Sequence, residues 1–513
     1  MTQWLNALPT LITFAPLIGL VVLLFLPQDK TRAHRMVGIA GTLPSLVLAL
    51  VMFGRFDPLK QGLQWAQSIP WFDIPLDLIN RQAPATKLVF NYSMGVDGLS
   101  MPLVVLTCLV ATLAAIASVY VKQRTKAYYT LLLLLLVGMN GVFLSANFFL
   151  FFIFFEVTLV AAFFLIGIWG FLGREKAANH FLLYNGLGSG FLLFAMIGLL
   201  LLSGSLDYAT IQQQAGELVK QLHLLEPQQV SMVWLIFISL IVAFAIKLPM
   251  FPFHSWMLRV HVEAPTPVVM IHSGVLLKMG AYGLIRFGVG FFPGLMDQVA
   301  TVLAVLGLVN ILYGAILAFV ETELKRVLAY SSVSHMGIIL FGLAAMNEAG
   351  LKGAVFQSVS HGLISALLFF IVGSLYERTK TTELNELGGL AKPMPILSGL
   401  LLFGGMALLG LPGLSGFISE FMAFLGLFQE RPVVAAVGAL GLVLASAYTL
   451  RACLKTTFGP LKERFSDMAD VKGWEVGSLF TLVFLIVVIG VYPAVLAYPM
   501  EQTLEVILAG IGG

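Results

Sequence analysis

Apolar residues run along this chain in blocks of about 20, broken by short polar clusters, without the two-residue or 3.6-residue alternation of half-buried elements. A helix needs about 20 apolar residues to cross the hydrocarbon core of a bilayer. By that measure, spans fall near 8–27, 36–54, 99–121, 127–146, 147–170, 177–203, 231–260, 264–287, 298–320, 325–346, 351–376, 393–428, 433–454 and 477–500. The pattern predicts an all-α polytopic membrane protein of about fourteen spans. Its sizeable loops are 55–98, rich in Pro and Trp, and the polar 204–230, so no soluble domain is expected.

Two runs are too long for one straight span. The seventh contains Lys247-Leu-Pro249 followed by Pro252, and the twelfth contains Gly410-Leu-Pro412-Gly413. Proline removes a backbone donor and clashes with the preceding turn, so both helices should break there. The breaks stand five spans apart, as they would if spans 4–8 and 9–13 were two copies of one unit. An odd-numbered repeat must invert in the membrane, and paired interrupted helices point to an ion site in inverted-repeat transporters. The organisation expected is therefore 1–126 for the first three spans and an external loop, 127–287 for one repeat, 298–455 for the second, and 456–513 for the last span.

Composition agrees with this pattern. Of 513 residues, 59% are hydrophobic and 11% charged, against about 25% charged in a soluble domain. The net charge of +3 comes with no basic cluster, so nucleic acid is not an expected partner; the lipid bilayer is. The first apolar run lacks a basic n-region and a small-residue cleavage site, and reads as a retained span. Of 29 Lys and Arg, nineteen follow odd-numbered spans. Eight follow even-numbered ones: Arg55, Lys60, Arg81, Lys87, Lys220, Arg286, Lys352 and Arg431. Excess positive charge marks the cytoplasmic side, which places both termini outside.

The two remaining cations, Lys247 and Lys278, lie within apolar runs, as do the acids Glu156 and Glu420. Each costs about 2.5–3.5 kcal/mol at mid-helix on insertion scales. Four of mixed sign should face the interior and pair or line a hydrated path. His335 and His361 lie inside later spans, and neutral imidazole can relay a proton. An isolated histidine is more often a hydrogen-bonded core residue, but the series Glu156, Lys247, Lys278, His335, His361, Glu420 favours a relay; His254 and His261 are weaker members. Lys247 could instead snorkel to the interface. If Glu156 lies beside Lys247, their separation would control whether the amine holds its proton.

Other features read as structural. Asn185-Gly-Leu-Gly-Ser-Gly190 lacks the strand and acidic partner of a dinucleotide site, which leaves helix packing. Asp97 reads as a helix cap rather than a proton site. Cys108 and Cys453 cannot supply the four thiolates of an iron–sulfur cluster, and no zinc-ligand spacing occurs.

KLPMFPFHSWMLRVHVEAPTP and HSGVLLKMGAYGLIRF, with MGVDGLSMPL, FFEVTLVAAFFLIGIWG, LAYSSVSHMG and LPGLSGFISEF, resemble the antiporter-like membrane subunits of respiratory complex I, the proton-translocating NADH:quinone oxidoreductase. The resemblance spans roughly 90–460, and related chains occur in Mrp-type Na⁺/H⁺ antiporters and membrane-bound hydrogenases. It implies fourteen spans with interrupted helices seven and twelve. It also implies proton-translocation roles for Glu156, Lys247, Lys278, His335, His361 and Glu420. Glutamate at 420, where most sister chains have lysine, resembles the chain M (subunit 4) type, as does a C-terminus soon after span fourteen. The sequence HSWMLRVHVEAP departs from the WLPDAHVEAP of many relatives, which changes the cytoplasmic turn. Implied with the family are a bacterial inner-membrane location and no cofactor on this chain. NADH, flavin, iron–sulfur clusters and quinone would belong to partner subunits, and sister antiporter-like chains would lie on either side.

Overall fold

The computed structural model describes residues 6–75, 87–224 and 226–509; Arg81 lies outside them. Among the described residues, thirteen helical segments are long and apolar enough to cross a membrane. They are Leu8–Phe25, Thr31–Arg55, Ser100–Tyr120, Thr125–Leu144, Phe148–Trp169, Arg174–Ser203, Pro227–Lys247, Thr266–Val289, Pro293–Val320, Leu324–Ala344, Glu348–Thr379, Pro432–Thr457 and Gly473–Val491. The predicted twelfth span is a pair of short helices, Pro395–Leu408 and Ser415–Glu430, which completes the fourteen.

Burial sorts the spans into a centre and a rim. The most apolar windows of spans eight, ten and eleven are 100%, 94% and 100% buried, against 33–39% for spans one, two, six, thirteen and fourteen. Three of the sequence's ionisable candidates, Lys278, His335 and His361, therefore sit on the most enclosed helices. Small residues allow this. Gly280, two residues after Lys278, has the backbone of Leu248 where a Cβ would be, so the end of span seven's first half rests directly on span eight.

Both predicted breaks are present. Span seven ends its first half at Lys247, and a second helix, Ser255–Glu263, follows after Pro249 and Pro252. The backbone groups freed there find side-chain partners. Phe251 N–H donates to Asn310 Oδ1 at 2.8 Å, Asn310 Nδ2 donates to the carbonyls of Pro249 and Val333, and Trp256 Nε1 donates to Ile246 O at 3.1 Å. Broken helices persist at membrane depth only where such partners exist. Span twelve breaks at Gly410 and Gly413, whose φ of +76° and +91° suit glycine, and Glu420 lies in the second turn beyond. Span eight is continuous but widened by π-helical turns at His272–Leu276 and Leu284–Val289, a distortion found often at functional sites.

Three expectations need correction. The loop 55–98 carries a two-stranded antiparallel hairpin, β1 (Gln64–Pro75) and β2 (Lys87–Val96), so the described residues are helical apart from this hairpin. Phe72 and Phe90 stack across it at 4.6 Å, and Phe90 meets Phe149 of span five. Pro70 and Pro75 within β1 hid the strand, since proline reads against a sheet position. Arg286, assigned to an external loop, lies inside span eight with its side chain only 13% exposed. Span fourteen ends at Val491, not near 500, because Pro493 follows; a separate helix, Ala494–Ala509, comes next.

Candidate functional site

Glu156 is on span five, part-exposed, with Oε1 buried and unpartnered. Lys247 is 1% exposed, which excludes snorkelling. Its ammonium lies 4.7 Å over the ring of Phe155, the neighbour of Glu156, and 5.8 Å over that of Phe181. No ion pair joins Glu156 to Lys247, yet the carboxylate is near enough to act on the amine's charge. The break thus sets a cation at a helix C-terminus, where the dipole favours it, beside two aromatic faces and without a hydrogen-bonded partner.

The second half of the row is in contact throughout, with one direct hydrogen bond between its ionisable members. Lys278 Nζ donates to Ser273 O at 2.7 Å and to His361 Nδ1 at 2.8 Å. The His361 and His335 rings stand 5.4 Å apart. His335 Nδ1 lies 3.6 Å from Glu420 Oε1 and accepts from Gln357 Nε2 at 3.0 Å. Ser419 Oγ donates to Gln357 Oε1 at 2.5 Å, which fixes the amide so that its NH₂ faces His335. Ser360 donates to Ser415, tying span eleven to the start of span twelve's second half. The gap lined by His335, Gln357, His361 and Glu420 is too narrow for a water molecule, so transfers here need side-chain contact or a small opening. Glu420 fits because residue 410 is glycine: a Cβ there would overlap its carboxylate.

The six principal sequence candidates therefore form two groups, Glu156 and Lys247 on spans five and seven, and Lys278, His361, His335 and Glu420 on spans eight, eleven, ten and twelve. His254 joins neither. That ring stacks on Phe251 and meets Tyr313 OH at 3.3 Å on the other side of the break. His261, a weaker candidate, is fully buried and hydrogen-bonded to His272, a residue that sequence reasoning passed over. Gln357 and Ser419 were also missed, since uncharged polar residues carry no signal above the background of serines in these spans. The signal for His272 was available: it stands six residues before Lys278 in an apolar run.

Asp97 caps span three, accepting from Leu99 N and Ser100 N, as expected. It also forms a 2.5 Å ion pair with Arg286, which the sequence did not disclose. Arg286 in turn donates to Tyr282 OH at 3.3 Å, so this buried pair bolts span three to span eight. In the 185–190 motif, Gly188 packs near Ala243 and Ile246 of span seven, while Gly186 and Gly190 border an open groove. Among the described residues, no group of three or more His, Cys, Asp and Glu side chains could hold a metal ion.

Comparison with known proteins shows which family the chain belongs to. The family described as NADH:quinone oxidoreductase/Mrp antiporter, TM matches residues 145–449, and that described as NADH-ubiquinone oxidoreductase chain 4, amino terminus, matches 42–145. The NAD(P)H-quinone oxidoreductase chain 4 2 of Thermosynechococcus vestitus is 36% identical over 98% of this chain and 92% of its own length. The NADH-quinone oxidoreductase subunit M of Rhodobacter capsulatus is 34% identical over 94% and 93%. A chain of respiratory complex I from Thermus thermophilus superposes with a TM-score of 0.84 at 29% identity, over 98% of this chain and all of that one. A chain of the Mrp complex from Dietzia shares the fold, with a TM-score of 0.80 at 20% identity. This multi-pass membrane chain therefore belongs to the NADH:quinone oxidoreductase/Mrp antiporter family, in its chain 4 (subunit M) branch.

Proposed function

We propose that this chain is a proton-translocating membrane subunit of an NADH:quinone oxidoreductase, moving protons along the Glu156–Lys247–Lys278–His361–His335–Glu420 row. The observation that carries the reading is the buried run of contacts from the Lys278–His361 hydrogen bond through the adjacent His335 ring to Glu420, 3.6 Å beyond. Lone ionisable groups at that depth are costly, whereas a contiguous row has a use for each member. In this assignment Glu156 modulates Lys247, Lys278 and the histidines form the central relay, and Glu420 is the terminal site toward the outside. The chain itself performs no redox step; flavin, iron–sulfur clusters and the sites for NADH and quinone belong to partner subunits.

Both ends of the row support sister chains on either flank. Glu156 is part-exposed at mid-span beside the exposed Val160 and Phe164, and Glu420 borders a groove lined by Phe417, Phe421 and Val443. A carboxylate so placed needs protein, not lipid, against it. The membrane is a bacterial inner membrane in this reading, with both termini outside. The five-span separation of the two breaks supports inverted repeats at 127–287 and 298–455.

The test is proton pumping by the intact complex in sealed vesicles. Lys247→Ala is expected to reduce pumping at least about tenfold, and Glu156→Ala severalfold, with assembly retained. Unchanged pumping in Lys247→Ala would overturn the assignment. A secondary-antiporter reading rests on the shared family and fold; sodium-dependent proton flux without an electron donor would favour it.

A further inference from the structure

Span eight carries a polar stretch outside the row. Lys278, Tyr282 and Arg286 follow at four-residue intervals, each one turn nearer the end that faces outward in the orientation above. Tyr282 is 1% exposed and walled by Phe143, Phe151 and Phe287. Its hydroxyl accepts from Arg286 Nε at 3.3 Å, and the guanidinium carbon lies 5.4 Å from the centre of its ring. Beyond Arg286 comes Asp97. Its Oδ2 takes the guanidinium, and its Oδ1 accepts from Leu99 N, Ser100 N and Ser100 Oγ at 3.0–3.2 Å. The helix Ala494–Ala509 covers this end: Gly98 N donates to Thr503 Oγ1 at 2.9 Å, and a Cβ on Gly98 would overlap Pro499 O. Tyr208, which opens the helix Tyr208–Lys220, adds a buried hydroxyl without a partner, within electrostatic range of the pair.

Holding spans three and eight together does not call for charge. A buried ion pair replaced by well-packed apolar side chains is often neutral or stabilising, because both ions must be taken out of water. What distinguishes this pair is its position, between Lys278 and the outer end of span eight. Neither member can carry a proton along that line. A guanidinium is not deprotonated in proteins, and a carboxylate has about four acceptor sites, which the four donors to Asp97 fill. A fixed cation in a narrow passage is also the device by which selective pores turn protons away.

We propose that Arg286, held in place by Asp97 and Tyr282, is an electrostatic seal that stops Lys278 from exchanging protons with the outside. This rests on the translocation reading above. A proton on Lys278 has two ways onward. Toward Tyr282 it meets a hydroxyl whose oxygen already accepts from Arg286, with a permanent positive charge behind it. Toward His361 it meets a ring hydrogen-bonded at 2.8 Å, which leads on to His335 and Glu420. The seal thereby gives the row its direction. A proton that has reached Lys278 leaves through the second repeat, and one from outside does not return along span eight.

The test reads passive proton flow through the intact complex in sealed vesicles, without an electron donor, as the decay of an imposed pH gradient. Arg286→Gln combined with Asp97→Asn removes both charges and keeps a hydrogen-bonding pair. The gradient is expected to decay about tenfold faster than with wild type, with assembly retained. Adding Lys278→Ala should restore a tight membrane, because the leak passes through that amine; a packing defect would leak regardless. Arg286→Lys keeps a cation and should stay tight. Wild-type tightness in the assembled double variant would overturn the seal, as would a leak that survives Lys278→Ala. Should the double variant fail to assemble, Arg286→Gln alone supplies the same comparison. The leak is measured without turnover, which separates it from pumping. If Lys247→Ala stops pumping while the double variant stays tight, only the seal falls. If Lys247→Ala pumps as wild type while the double variant leaks through Lys278, the assignment of the row falls and the barrier stands.

Discussion

Glu420 owes its position to a residue with no side chain. Gly410 has φ +76°, and a Cβ there would overlap the Glu420 carboxylate. Alanine in the left-handed region costs about 1–2 kcal/mol before any collision is counted. Gly410→Ala is therefore expected to push the carboxylate away from His335, now 3.6 Å distant, and to cut proton pumping severalfold while the complex still assembles. Vesicle pumping normalised to assembled complex checks this; wild-type pumping would show that the His335–Glu420 contact is dispensable. The six principal ionisable residues were legible in the sequence because a charge or an imidazole in an apolar run stands out. Gln357 and Ser419, which orient His335, were not, because their importance lies in whom they touch.

A broken helix needs its lost hydrogen bonds replaced from elsewhere. Pro249 and Pro252 announced the break in span seven, but nothing in that segment named Asn310, 59 residues from Phe251 in sequence, as the side chain that accepts the Phe251 N–H. Asn310→Ala would strand that donor and the Pro249 and Val333 carbonyls in a dry interior. A loss of about 1–3 kcal/mol is expected for a buried group left without a partner. It should appear as a lower thermal midpoint of the detergent-solubilised complex, with Asn310→Asp, which keeps an acceptor for Phe251, less affected. Equal midpoints for Asn310→Ala and wild type would mean the break is held some other way. The hairpin between spans two and three shows the opposite limit, since its strand signal was masked by its own prolines and its stability comes from Phe149 and Asp207 on distant elements.

At the scale of the molecule, orientation follows from charge and enclosure from packing. The bias of nineteen basic residues against eight predicts cytoplasmic odd loops. Moving Arg286 into span eight strengthens that bias, because the even loops lose a cation to the Asp97 pair. With Cys108 and Cys453 both buried, single cysteines can be read cleanly. Lys462→Cys, after span thirteen, should react with an impermeant maleimide in inverted vesicles, and Lys220→Cys, after span six, only in right-side-out ones. The reverse pattern would turn the chain over and exchange the inlet and outlet sides of the row.

The sequence by itself determined what depends on local chemistry: fourteen apolar blocks, the two proline and glycine breaks, and ionisable residues too costly to be incidental. Hydrophobic length and backbone donors are properties of a segment, so they can be read one segment at a time. The tertiary structure alone decided how those segments meet. It set Lys247 over Phe155, joined Lys278 to His361 across 83 residues, paired Asp97 with Arg286, and brought His261 against His272. Each of these is a distance between residues on different helices, fixed by which small residues let two backbones approach and by which partners a buried polar group can reach.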